Sequence, residues 1–215
     1  MASREWYRKE TWSASDREEF FAKLNRSRSS FNRAQYLRIQ ASYLQGTKTQ
    51  KHLKVALELL EILFAQYPEP FELAPAYLQR AQCLLALGHI DASVESFRKA
   101  VAREKEFPKS KCDAPLRFGW EVVRRRWTHL YAEADAITVT LGTEFIFPAQ
   151  DYLWNSIRAL ILEAKGDMVL AREHARAALQ AANRTHSGIQ YHPNVGLVGT
   201  PDPEIHSKLR KLAST

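Results

Sequence analysis

Cysteine is scarce in this chain of 215 residues, with two in all, and glycine and proline number only eight and nine. Two thiols exclude the multi-bridge framework of small secreted domains. So little glycine and proline excludes the dense turns of a sandwich or barrel, so a mostly helical chain is expected. The opening stretch Met1-Ala2-Ser3-Arg4-Glu5-Trp6-Tyr7 lacks the apolar core of about 7–15 residues that a signal peptide requires. Apolar tracts such as Leu59-Leu60 and Ile62-Leu63-Phe64-Ala65 are broken by charge and fall far short of the roughly 20 residues that cross a bilayer. A soluble, cytoplasmic protein without membrane attachment is therefore expected. Charge of one sign is modest too: 31 Lys+Arg against 24 Asp+Glu give +7, which suits acidic partners but makes no dedicated nucleic-acid arm.

What is present is helical spacing. Leu53, Ala56, Leu57, Leu60, Leu63, Phe64 and Tyr67 recur at three- and four-residue steps, the stripe of one amphipathic helix. A second helix is expected from about Glu72 to Leu87, stopped by Gly88, and a third carries Val94, Phe97, Ala100 and Val101 before Pro108. The same hairpin pattern returns as 151–165, Gly166-Asp167 and 168–183. Small residues, which closely packed helices need at a fixed depth, recur with it. Ala41, Ala81 and Ala159 stand 40 and 78 residues apart, and Ala56, Ser93, Ala134 and Ala171 stand 37, 41 and 37 apart. The missing first-helix member falls around Gly119 to Val122, within Pro115-Leu116-Arg117-Phe118-Gly119-Trp120-Glu121-Val122-Val123.

Tyr77, Ala81, Leu84, Gly88, Ser93, Phe97 and Ala100 give aromatic, small, large, glycine, small, aromatic and small residues in an order that resembles the tetratricopeptide repeat (TPR). Asn155, Ala159, Leu162, Gly166, Ala171, Ala175 and Ala178 resemble the same signature, as do Leu37, Ala41, Leu44, Ala56, Leu60, Leu63 and Pro68 with a longer turn. Phe118, Tyr131, Ala134 and Leu141 mark a weaker unit. Ser93 stands for the usual alanine and Ala175 for the usual aromatic, so the set is degenerate. The resemblance implies an all-α, right-handed solenoid of about four TPR-like hairpins over residues 32–183. An N-terminal arm and capping helix (1–31) would precede it, and an irregular segment with a short helix from Pro203 to about Leu212 (184–215) would follow it. Ser15-Asp16-Arg17-Glu18 offers the capping-box start of the N-terminal helix.

Catalytic spacing is lacking: there is no Walker loop, GxSxG, HExxH or paired CxxC. His186, His192, Asp202 and His206 form the richest polar cluster, the basis of a metal-enzyme alternative, whereas His52, His89, His129 and His174 read as solvated. Cys83 reads as a buried, reduced thiol. The stretch from Arg98 to Arg126 carries ten basic residues against four acids, with Arg124-Arg125-Arg126 beside Trp127, and supports an alternative in nucleic-acid or ribonucleoprotein binding. Trp6, Tyr7 and Trp12 are expected to pack back on the capping helix, with partner anchoring as the other reading.

The resemblance implies that first helices line a concave groove, which places Arg38, Ser42, Leu78, Gln79, Gln82, Trp120, Val123, Arg126, Ser156, Ile157 and Leu160 on one surface, unless the C-terminal segment fills it. The expectation is a non-catalytic binding, scaffold or adaptor protein with no cofactor or metal. Arg38, Gln79, Gln82, Trp120 and Arg126 are its contact residues for a protein or peptide segment or for a second copy of the chain.

Overall fold

Residues 6–141 and 145–214 are described in the computed structural model, and helix is their sole regular structure: ten α-helices, one 3-10 turn and no strand. The first five residues, read above for a signal sequence, lie outside the described residues. The chain divides into two compact units, Met1–Ala114 and Pro115–Thr215.

In the first unit, α1 (Ala14–Arg26) precedes the packed pair α2 (Ser30–Gly46) and α3 (Gln50–Gln66), and the pair α4 (Pro70–Ala86) and α5 (Ile90–Glu106) follows. The capping box of α1 is built two residues earlier than expected: Ser13 accepts from the Asp16 amide at 3.1 Å and donates its own amide to Asp16 at 2.9 Å. The start is fixed there because Asp16 is held from several sides. The Lys9 ammonium foremost, then the Ser13 amide and hydroxyl, keep its carboxyl well below the usual carboxylate range. The arm before α1 is tied down by buried Gln40, whose amide accepts from the Lys9 N–H at 3.1 Å and donates to the Lys9 carbonyl at 2.6 Å. Trp6, Tyr7 and Trp12 pack back on the core built by Phe20, Leu37, Ala41, Leu44, Ala56 and Leu60.

The depth chosen by the small residues is visible between α4 and α5. Ala81 is fully buried, and Ser93 Oγ donates to its carbonyl at 2.8 Å. Leucine at position 81 would add three carbons where the next helix already touches. Ala81→Leu is expected to cost about 1–3 kcal/mol, read as a fall in the urea midpoint. Leucine at exposed Ala86, the last residue of α4, is expected to leave the midpoint in place.

The second unit begins in α6 (Ala114–Arg124), whose first residue belongs to the first unit, and continues through a 3-10 turn (Thr128–Leu130) into α7 (Tyr131–Val139). Next come α8 (Pro148–Ala164), α9 (Met168–Ala182), an irregular stretch, and α10 (Pro203–Ser214). Gly119 marks the close approach expected of a first-helix small residue: a Cβ there would lie 3.0 Å from Thr138 Cγ2 and 3.1 Å from Ile157 Cδ1. α10 is capped by Asp202, which accepts from the amides of Glu204 and Ile205, and Ile205, Leu209 and Leu212 at spacings of four and three bury its apolar face. It packs on α9 and α8.

One turn geometry recurs through the chain. After α4, Gly88 is left-handed (φ 84), its N–H donates to Leu85 O at 3.2 Å, and the His89 N–H donates to Leu84 O at 2.9 Å. After α8, Gly166 (φ 84) repeats this, with Gly166 N to Glu163 O at 3.0 Å and Asp167 N to Leu162 O at 3.0 Å. After α6, Arg126 (φ 55) does the same, with Arg126 N to Val123 O at 3.1 Å and Trp127 N to Val122 O at 2.9 Å. Lys48 (φ 57) occupies the matching place after α2, its N–H bonded to Gln45 O at 3.0 Å. These left-handed residues, 48, 88, 126 and 166, are spaced by 40, 38 and 40 residues, so the backbone carries the period that the small residues suggest.

Candidate partner-binding surfaces

Within the first unit, three of the five expected contact residues meet along the seam between α2 and α4. The Arg38 guanidinium pairs with the carboxylate of buried Glu72. Gln79 is buried as well; with its amide oriented to satisfy both ends, it donates to Arg38 O at 3.3 Å and accepts from the Ser42 N–H, joining one helical peptide pair of α2. One turn further on, Gln45 Nε2 donates to Gln82 Oε1 at 2.9 Å. Polar groups caught between two packed helices lose water and have to find partners, and here they find each other. The result is a polar ladder along the seam, with Arg38 and Gln82 keeping an open side.

Several residues placed on the expected groove are not open. Leu78, Val123, Ser156, Ile157 and Leu160 are buried. The reason is the number of neighbours: α4 packs against α2, α3 and α5, and α8 against α7, α9 and α10, so each first helix has too few free faces to present this whole row.

In the second unit, Trp120 is half-buried with its ring 6.1 Å from that of Tyr152, and Arg126 is exposed and pairs with Glu204. Arg126 and Glu204 belong to a cleft of about 520 Å³ that also takes in Glu163, Ser207, Lys208 and Lys211. Lys208 Nζ lies 2.6 Å from a Glu163 oxygen. The lysines of α10 are not among the expected contacts. Their sequence signal is the three-residue spacing of Lys208 and Lys211 beside the apolar Ile205, Leu209 and Leu212.

Four arginines of the basic stretch pair with acids close by in sequence. Arg98 pairs with Glu95, Arg103 with Glu106, and both Arg124 and Arg125 with Glu121. The Arg125 guanidinium lies 5.8 Å from the Trp127 ring centre, which occupies a face that a base would use.

Among the described residues, no three His, Cys, Asp or Glu side chains group as metal ligands, so His186, His192, Asp202 and His206 are not brought together. His206 instead lies against the ring of Tyr152 at 6.3 Å. His174 corrects the solvated reading: its Nδ1 is 2.9 Å from Asn155 Oδ1 and its ring meets Trp154 edge-on at 5.1 Å. Asn155 Nδ2 donates to Asp151 O, so its oxygen is left to accept from His174 Nδ1–H. His52 is also engaged, with Nδ1 2.9 Å from Thr47 Oγ1.

Burial first, and the charge of Arg158 next, lower the His174 pKa below 6.5, and burial with Arg210 lowers that of His206. The folded state then favours neutral rings, while the unfolded chain takes up protons at about 6.5. This contribution to stability is complete above the unfolded value and is lost as pH falls below it. The melting temperature is expected to drop from pH 7 to pH 5.5, less so in a His174→Gln, His206→Gln chain, as followed by circular dichroism.

Both cysteines are free. Burial pushes the Cys83 thiol up to about 12, and burial with the Glu104 carboxylate 3.1 Å away raises that of Cys112. Glu104 also accepts from the Cys112 and Ala114 amides, so it ties the approach to α6 rather than activating a nucleophile. Among the described residues no helix is long and apolar enough to cross a membrane.

No family model, curated protein or solved structure matches the chain.

Proposed function

We propose that this chain is a non-catalytic binding or scaffold protein of the cytoplasm whose hairpins are degenerate TPR-like units arranged as a right-handed solenoid. The observation that carries the reading is the left-handed turn residue recurring at 48, 88, 126 and 166, in step with the buried small residues Ala41, Ala81, Gly119 and Ala159. Repeated hairpins of this kind present side chains along many turns of helix without converging on one reacting centre, which suits holding a protein segment or a second copy of the chain.

The contact residues are weighted by their open sides. Trp120 and Arg126 lead, Arg38 and Gln82 follow, and Gln79 acts through the seam that it braces. The test is capture of proteins from the native host, followed by titration of each purified candidate against the wild-type chain and Trp120→Ala. An affinity at least about tenfold weaker with Trp120→Ala, at unchanged helicity, supports the reading. Unchanged affinity removes this surface. Nucleic-acid binding through residues 98–126 is the second reading, and the self-pairing of its arginines weighs against it. A steep loss of oligonucleotide binding with salt would revive it.

A further inference from the structure

Four cations and no acid fall between residues 23 and 33: Lys23, Arg26, Arg28 and Arg33. The run spans the last turn of α1 and the entry to α2. Two of the four are used by the fold. Lys23 Nζ lies 2.6 Å from a Glu19 oxygen, and Arg33 donates to Ser27 O at 2.8 Å and to Asn25 O at 3.2 Å. Those two bonds satisfy carbonyls at the end of α1, the task that a cation of the last turn would otherwise perform. Arg26 and Arg28 are exposed, and no carboxylate of the described residues pairs with either. Neither is held by the fold.

Arg26 stands on a cleft of about 340 Å³ whose other walls are Trp6, Lys23, Ser27 and Tyr36. That volume lies in the range of about 300–1,000 Å³ typical of small-molecule sites. The two rings are fixed from behind. Trp6 and Tyr36 pack against the core of the first unit with ring centres 4.9 Å apart, Phe20 braces Trp6 at 5.3 Å, and Tyr7 braces Tyr36 at 4.6 Å. Both are only half-buried and line the cleft with what remains open. An acidic peptide would need the cations alone. Rigid aromatic walls beside an unpaired guanidinium match a ligand that is a flat ring at one end and an anion at the other.

We propose that this cleft binds a nucleotide of a single-stranded nucleic acid, with the base against Trp6 and Tyr36 and the flanking phosphates on Arg26 and Arg28. A planar guanidinium takes phosphate oxygens with two parallel hydrogen bonds, which gives the strand a fixed direction across the cleft. Every base has a flat face, so little sequence preference is expected. A duplex keeps its bases stacked inside and offers the cleft phosphate alone. The site shares no residue with the 98–126 stretch or with the contact residues of the protein-binding reading, and it goes beyond that reading.

The test is fluorescence anisotropy of the full chain with a short fluorescein-labelled oligoadenylate at low salt, compared with an abasic strand of the same length and charge. Affinity at least about tenfold higher for the oligoadenylate, lost by a similar factor in Arg26→Glu and in Trp6→Leu, supports the site. Arg26→Glu is the more informative variant because the side chain it replaces is exposed and unpaired, so its melting temperature is expected to hold. Equal affinity for the abasic strand, no binding up to about 1 mM, or undiminished binding by Arg26→Glu overturns the proposal. A loss confined to Arg124→Glu overturns it by moving the contact to the 98–126 stretch. A peptide of alternating Glu and Ala that displaces the oligoadenylate at equal concentration also overturns it, by making the cleft a site for acidic protein segments. Failure here with Trp120→Ala still weakening a captured partner removes the nucleotide site alone.

Discussion

Arg38→Ala is expected to lower the free energy of unfolding by about 3 kcal/mol, far more than the loss of an exposed contact residue would. Its carboxylate partner Glu72 is buried, and removing the guanidinium would leave that charge desolvated without compensation. The same change strips a neighbour from the seam where Gln79 holds the peptide group between Arg38 and Ser42. A double variant, Arg38→Met with Glu72→Leu, is expected to recover most of the loss, because apolar side chains of similar volume avoid both desolvation costs. Urea unfolding of the two variants decides the matter. If Arg38→Ala stays within about 0.5 kcal/mol of wild type, the pair is not structural and Arg38 returns to the surface as a contact residue.

Gly196→Val is expected to detach the irregular segment from α8. The Gly196 carbonyl accepts from the Ala149 N–H at 2.8 Å, in the first turn of α8, and the Phe147 ring lies directly against the glycine. A Cβ at this position would lie 2.1 Å from Phe147 Cδ1, and the backbone is left-handed as well (φ 70). Overpacking together with a side chain in the left-handed region costs about 2–4 kcal/mol. Most neighbours of Gly196 along the chain are exposed, so the segment is expected to peel away locally rather than unfold the unit. Amide exchange at Ala149 is then expected to quicken by about 30- to 1,000-fold, with the helices of the first unit unaffected. Gly199→Ala, at a glycine with open space around it, is the matched control and is expected to change nothing.

Helices were legible wherever an apolar stripe ran over about two to four turns. α3, α4, α5, α8 and α9 follow the periodicity of Leu53 to Tyr67, Leu73 to Leu85, Val94 to Val101, Leu153 to Leu162 and Ala171 to Ala178. Gly88 and Gly166 were readable as stops because glycine advertises left-handed backbone. Lys48 and Arg126 adopt that same conformation and advertise nothing, so half of the turn pattern was hidden from the sequence. The weak third unit has a physical cause: α6 and α7 span only 11 and 9 residues, and a 3-10 turn stands immediately before the second helix, where a longer stripe would otherwise begin.

The expected surface was legible in part. Helical register put Arg38, Gln79 and Gln82 on related faces, but register does not say which faces a neighbouring helix covers. Those three side chains are engaged across α2 and α4, Arg38 by Glu72, Gln79 by the Arg38 carbonyl and Ser42 amide, and Gln82 by Gln45. Lys208 and Lys211 escaped notice because their three-residue spacing shows a helix face but not where α10 docks, which is a long-range contact. His174 was misread for the same reason: Trp154 and Asn155, which enclose it, lie a full helix away.

The most direct measurement is hydrogen exchange on the full chain, alone and saturated with a purified partner that rebinds after capture. Slowed exchange centred on the end of α6 and on α10, with Trp120→Ala or Arg126→Gly diminishing it, is the predicted outcome. Protection confined to helices α3, α5 and α9, with α6 and α10 untouched, would contradict the account.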